Sequence, residues 1–361
     1  MSRFKPLSVL VLVLCVSLAL LSADQEKATY VCPMHCRNAV YDAPGNCSVC
    51  GMELIQVKDD HSIKVAILIF DGVQIIDFAA PWEVFGQAHF HVYTVAARKD
   101  AIITSMNMKV TPDFDFTDAP APDVLLLPGG NEDGAIDDKP TLQWIRQTAD
   151  RSRQVLSVCN GAFFLAKTGL LDGLTATTFY RLIPELAAQS PKTKVVSDRR
   201  FVDNGKIVTS AGLSSGIDAS LYLVSKIQGM GEAQRLALHL EYNWQPDSKF
   251  TRASLADMNL PDIDLPNGWN FQYLGTQGDD TRWDLKARIT ASASLEEVTK
   301  FLESSLSRAK WTKVRSAGPG KKYEAAWRFS DPRGLAWNAT LSLDADAPNT
   351  YVMALHLQRA A

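Results

Sequence analysis

The chain has 361 residues, a net charge of −3, and 46% hydrophobic and 21% charged residues. That is ordinary globular composition and enough chain for two or three domains. The slightly acidic balance offers no basic nucleic-acid surface, and the sequence contains neither a low-complexity tract nor an internal repeat.

Residues 1–23 begin with Arg3 and Lys5 and continue with an apolar run, Leu7 to Leu21, broken only by Ser8 and Ser17. Small residues follow. This is the layout of a secretory signal peptide. The run of fifteen residues is short against the roughly 20 that a membrane span needs. The reading is export to the periplasm or beyond, with an uncleaved anchor as the less favoured form. Cys15 has no small residue before it, which argues against a lipoprotein site. Loss of Arg3 and Lys5 would take the net charge from −3 to −5.

Residues 30–56 form a small cysteine module. The stretch YVCPMHCRNAVYDAPGNCSVCGMEL holds four of the six cysteines. Cys32-x-x-His35 and Cys47-x-x-Cys50 make two knuckles with eleven residues between them, and the turn APGN folds the second back on the first. Four sulfur and nitrogen ligands at this spacing suit tetrahedral zinc, or Cu(I) if the thioethers of Met34 and Met52 join. So short a segment buries no real core and needs a metal or crosslinks to hold it. Two disulfides, from the pairs at 32/36 and 47/50, fit the spacing as well. The stretch resembles the heavy-metal-binding domain carried by copper-efflux ATPases and periplasmic efflux adaptors, with the pattern YxCPMHP…PGxCPxCGMxL. The resemblance implies a soft metal ion as partner. It departs at Cys36, where that family has proline, so Cys36 is either a further ligand or a disulfide partner.

Residues 62–246 change character. Buried β-branched strands (IKVAILIF, FHVYTVA, DVLLLPGG) alternate with helical stretches (IDFAAPWEVFGQA, TLQWIRQTAD). This pattern predicts a parallel sheet with helices on both faces and a ligand site at the carboxyl ends of the strands. Gly129, Gly130 and Cys159 fall at such ends. In SVCNGAFFLA a cysteine stands at a strand-to-helix turn with Gly161 two residues on, the form of a nucleophile elbow. The following helix N-terminus would favour the thiolate. The Gly129, Gly130 and Asn160 amides are candidate donors to a developing oxyanion. A carboxyl from Asp77 near the sulfur would hydrogen-bond it or shuttle a proton; a helix N-cap is the competing role for Asp77.

The segments FDGVQIIDFAAPWEVF, LLLPGG, VCNGAFFLAKTGLLDGLTATT, TSAGLSSGIDASLYLV and LEYNWQP resemble, in order, the ThiJ/PfpI superfamily, with its class I glutamine-amidotransferase-like fold. The branch they are most similar to contains isonitrile hydratases and the sensor halves of AraC-type regulators. The resemblance implies a flavodoxin-like α/β sandwich, often a homodimer, with Cys159 as nucleophile and Asp77 as its acidic partner. Nothing calls for a cofactor in this domain. Two departures matter. The branch often carries ATTHW where this chain has ATTFY, so Phe179 replaces an imidazole. Asn160 stands where the hydratases have threonine. His89, His91 and His239 read as structural or surface residues, which disfavours a protease or amidase. Two functions stay open: thiol addition to a small electrophile, of the hydratase or glyoxalase kind, or a non-enzymatic sensor or chaperone for metal or redox stress.

Residues 247–268, rich in Pro, Asp and Ser, read as a linker. Residues 269–361 alternate strongly around one amphipathic helix at 294–309, which predicts a small α+β domain with an antiparallel sheet and its tryptophans inside.

Overall fold

The computed structural model describes residues 29–32, 40–57, 63–131, 134–248, 250–317 and 322–360. The expected leader at 1–23, and Met34, His35 and Cys36 of the cysteine module, lie outside them.

The module is a three-stranded antiparallel sheet, β1 (Thr29–Val31), β2 (Val40–Tyr41) and β3 (Ile55–Val57), with β1 central. Among the described residues its buried cluster holds Cys32, Cys47 and Leu54, with Tyr30 and Tyr41 against it. That is too little apolar surface to hold a fold by itself.

The middle of the chain is built on a seven-stranded sheet. In chain order its strands are β4 (Lys64–Leu68), β5 (His91–Ala96), β8 (Phe114–Asp115), β9 (Val124–Leu127), β10 (Gln154–Val158), β13 (Phe201–Asp203) and β14 (Ile207–Ser210). Between them the short pairs β6 (Ile102–Ile103) with β7 (Lys109–Val110), and β11 (Thr175–Ala176) with β12 (Lys194–Val195), stand apart. The sheet order is β13-β14-β10-β9-β4-β5-β8, parallel throughout except the β13–β14 edge. Helices α1 (Ile75–Gln87), α2 (Lys139–Arg151), α3 (Ala162–Lys167), α4 (Ile183–Gln189), α5 (Ser214–Gln228) and α6 (Met230–His239) follow the strands. Helix α1 packs on α5 and α5 on α6, while α2 packs on α3 and α3 on α4. Strands β9 and β14 are buried along their whole length; β9 is a Val/Leu run, as suits a strand covered on both faces, and in β14 Thr209 accepts the Thr177 amide and Ser210 donates to the Ser157 carbonyl. After β4 the chain adds strands on one side and then returns to the other with β9, so the switch point lies between β4 and β9. Open α/β sheets place ligands at such a point.

The C-terminal region is a six-stranded antiparallel sheet in the order β15-β16-β20-β19-β18-β17. Its strands are β15 (Asn270–Gly278), β16 (Arg282–Thr290), β17 (Thr312–Ala317), β18 (Lys322–Ser330), β19 (Ala336–Ala347) and β20 (Thr350–Arg359), with α7 (Leu295–Arg308) between β16 and β17. One face alternates inward, and Trp283, Trp311, Trp327 and Trp337 are buried there with Val298, Leu302 and Leu306 of α7. Ser294 and Glu297 form a reciprocal capping box that fixes where α7 begins. The stretch read as a linker is more than a spacer. It makes two short 3₁₀ turns, Arg252–Ser254 and Ala256–Asn259, and its Leu255 and Ala256 belong to the C-terminal core. Composition hid this because two buried apolar residues sit among many polar ones.

Candidate functional site

Four chain segments meet at the carboxyl end of the middle sheet. Strand β10 ends at Val158, and Cys159 turns the chain with φ +59° into a 3₁₀ turn that leads to α3. A left-handed non-glycine residue costs about 1–2 kcal/mol, and this strain projects the side chain at the elbow. The turn is tight because Gly161 lacks a Cβ: one placed there would lie 2.0 Å from the Leu127 carbonyl oxygen. Gly212, at φ +92°, closes the other side, where a Cβ would meet the Cys159 sulfur at 3.0 Å. Cys159 is 9% exposed. Helix α3 has only six residues, so its dipole is smaller than the sequence suggested.

Asp77 lies in the first turn of α1 and is fully buried. It does not cap the helix, a position held by Gln74. Its Oδ1 instead accepts the Leu213 amide at 2.9 Å, across 136 residues of sequence. Its Oδ2 is buried and makes no hydrogen bond of good geometry. Burial pushes the carboxyl up to about 6, against the opposing pull of the Leu213 amide, the Cys159 thiol and the Gly129 amide. The structure thus brings Asp77 to Cys159 and leaves it partly protonated near neutral pH.

The Gly129 and Gly130 amides, expected among the donors to a developing oxyanion, have partners of their own. The Gly130 amide donates to the Asn160 side-chain oxygen at 2.8 Å, and the Asn160 amide nitrogen returns a bond to the Gly130 carbonyl at 2.7 Å. The Gly129 amide faces Asp77, and its carbonyl accepts from the Gln74 amide at 2.8 Å. Asn160 therefore clamps the Gly129–Gly130 turn to the elbow through its side chain. Residues that sequence reasoning passed over complete the site. Thr178 donates its hydroxyl to the Cys159 carbonyl at 2.8 Å. Arg200 pairs with the buried Asp218 and donates to Ser214 Oγ at 3.1 Å, so it braces the Gly212–Leu213 turn. Phe179 is half-buried and packs its ring on Tyr180. His89 and His91 stand at the amino end of β5, away from the carboxyl ends where Cys159 sits, and His239 is exposed at the end of α6.

In the cysteine module the sulfurs of Cys32, Cys47 and Cys50 lie within 4.8 Å of one another. Cys32 and Cys50 are 3.4 Å apart, well beyond a disulfide bond of about 2.05 Å. Ligands at about 2.3 Å around one tetrahedral ion would stand roughly 3.8 Å apart, so the three sulfurs fit zinc or Cu(I). Burial pushes the Cys47 thiol up, but the Cys50 and Val49 amides and bonds from Cys32 and Tyr41 outweigh it and bring it down to about 6. The knuckle is shaped by the Cys47 amide on the Met52 carbonyl at 2.7 Å and the Gly51 amide on the Cys47 carbonyl at 2.8 Å. Met52 is exposed beside it.

The profile of the DJ-1/PfpI family matches residues 63–226, and that of the heavy metal binding domain matches residues 29–57. Isonitrile hydratase from Pseudomonas putida is 34% identical over 50% of this chain and 79% of its own length. An uncharacterized protein from Streptomyces lividans is also 34% identical, over 36% of this chain and 95% of its own. A solved ThiJ/PfpI family protein from Pseudomonas syringae shares 27% identity with a TM-score of 0.47, covering 52% of this chain and 78% of that one. The chain belongs to the DJ-1/PfpI family and carries a heavy metal binding domain ahead of the family domain.

Proposed function

We propose that this protein is exported, holds one soft metal ion on its N-terminal domain, and adds Cys159 to a small electrophile of the isonitrile class. The observation that carries the reading is the buried Asp77 carboxyl beside Cys159, with its pKa raised to about 6. The thiolate adds to the terminal carbon of R–N≡C, and that carbon takes a proton from Asp77 to give a thioimidate. Water adds across the C=N bond. Expulsion of the thiolate leaves the formamide, and Asp77 regains its proton from the water. An acid near pKa 6 can give and recover a proton at neutral pH. The similarity to isonitrile hydratase supports the substrate class. In the metal domain Cys32, Cys47 and Cys50 would hold the ion, which crosslinks the fold as a Lewis-acidic centre. The exposed Ile76, Ile103, Met106, Met108 and Leu213 offer a face for a second copy of the chain.

Phe179, standing where an imidazole would serve catalysis, favours a second reading, in which Cys159 is a reversibly oxidised sensor thiol. One experiment separates the two. Cyclohexyl isocyanide is incubated with the protein and formamide release is followed. Multiple turnovers, lost in both Cys159→Ser and Asp77→Asn, are the expected result. Absence of turnover in the parent, with stoichiometric peroxide oxidation at Cys159, would replace the catalytic reading with the sensor.

A further inference from the structure

A large unassigned space lies away from Cys159. A cavity of about 720 Å³ opens between the C-terminal sheet, α7, the segment 257–265 and the Tyr180–Arg181 turn of the family domain. Small-molecule sites commonly enclose about 300–1,000 Å³. Its floor is core: Leu285, Leu302, Leu306, Leu341, Met353 and Leu355 line it and are otherwise buried. A floor of leucine and methionine side chains accepts apolar guests.

All of its charge is at one end. Arg181, Arg252, Asp257 and Asp262 form the mouth with Tyr180. Arg252 is committed to Asp257 through two bonds of 2.7 Å. Two guanidiniums flank the Tyr180 ring, Arg252 at 4.7 Å and Arg181 at 5.6 Å from its centroid. Arg181 donates its Nε to the Tyr180 hydroxyl at 3.0 Å. Asp262 is near enough to stabilise the Arg181 charge, yet among the described residues no ion pair joins them. The terminal nitrogens of Arg181 thus keep the planar fork that carboxylates accept in pairs.

We propose that this cavity binds a single-chain amphiphile with an anionic head, its hydrocarbon laid over the leucine floor and its head on Arg181. A floor without polar groups selects a hydrocarbon body, and charge confined to the mouth selects a head at one end only. The site needs the family domain and the C-terminal domain together, because each supplies one end.

Alkyl carboxylates of increasing length, titrated calorimetrically into the full chain, test this. One-to-one saturable binding is expected, tightening about fourfold per added methylene until the cavity is full. Arg181→Ala should weaken decanoate about tenfold, as loss of a charge-assisted contact does, and leave 1-decanol unchanged. Met353→Trp should remove binding of both. If that variant does not fold, a decanoate with a terminal diazirine gives the same information in the parent, by photolabelling residues 257–265 or strands β16, β19 and β20. The proposal is overturned by absence of saturation below the micellar concentration, by labelling elsewhere, or by decyltrimethylammonium binding as tightly as decanoate.

Discussion

Cys159 and Asp77 each occupy a conformation that folding alone would avoid, one with a positive φ and one a buried carboxyl. The cost of Asp77 depends on pH. Its folded pKa of about 6 stands above the ordinary 3.8. Between those values the folded protein binds more protons than the unfolded chain, so stability falls as pH rises. Asp77→Asn removes that penalty. The variant should be more stable than the parent above pH 6, by about 3 kcal/mol, and the gap should close as pH falls toward 4. Urea denaturation across this range checks it; a gap that widens on acidification would contradict the assignment. The same substitution is expected to abolish turnover, so stability and activity should move in opposite directions.

At the scale of elements, the strands of the middle sheet were legible in the sequence. A parallel strand covered on both faces tends to be apolar along its length, and VAIL and VLLL say so. Cys159 was legible because a cysteine followed by glycine at a strand end has few other uses, and Gly161 does meet the Leu127 carbonyl. The Leu213 contact to Asp77 was not legible. A backbone amide carries no side-chain identity, and its partner lies 136 residues away. Nor was the commitment of the Gly130 amide to Asn160, because an asparagine in a turn has many local partners. The Arg200–Asp218 pair escaped for a similar reason: nothing in the sequence ties together two charges 18 residues apart, yet the carboxylate is buried and also accepts the Tyr242 hydroxyl at 3.1 Å. Breaking one side of a buried pair strands the other charge. Arg200→Leu should therefore cost about 3–5 kcal/mol, and Asp218→Leu added to it should recover much of that loss. Chemical denaturation of the three variants decides; a double variant less stable than the single one would refute the pairing. The cysteines of Arg200→Leu offer a second readout, since a loosened Gly212–Leu213 turn should alter the pH profile of Cys159 alkylation.

For the whole molecule, three cores form independently in sequence: the sulfur cluster, the parallel sheet and the C-terminal sheet. The composition shifts at about residues 62 and 247 fall between these cores. They did not reveal that the second connection carries Leu255 and Ala256 into the last core. The metal domain has the least apolar surface, so its stability should follow the ion. Chelation should unfold it alone, with the two larger cores melting as before. Differential scanning calorimetry with and without chelator checks this, and a shift of the main transition would show that the cores are coupled.

The first and last strands of that domain lie side by side, with Thr29 opposite Val57 in an antiparallel register. Paired residues in such a ladder are about 5 Å apart, so the domain leaves the chain almost where it entered. Excising it removes a closed loop and leaves a gap that one or two residues can bridge. A unit with this geometry is portable: it can be gained or lost at a genetic junction without re-routing the chain that follows.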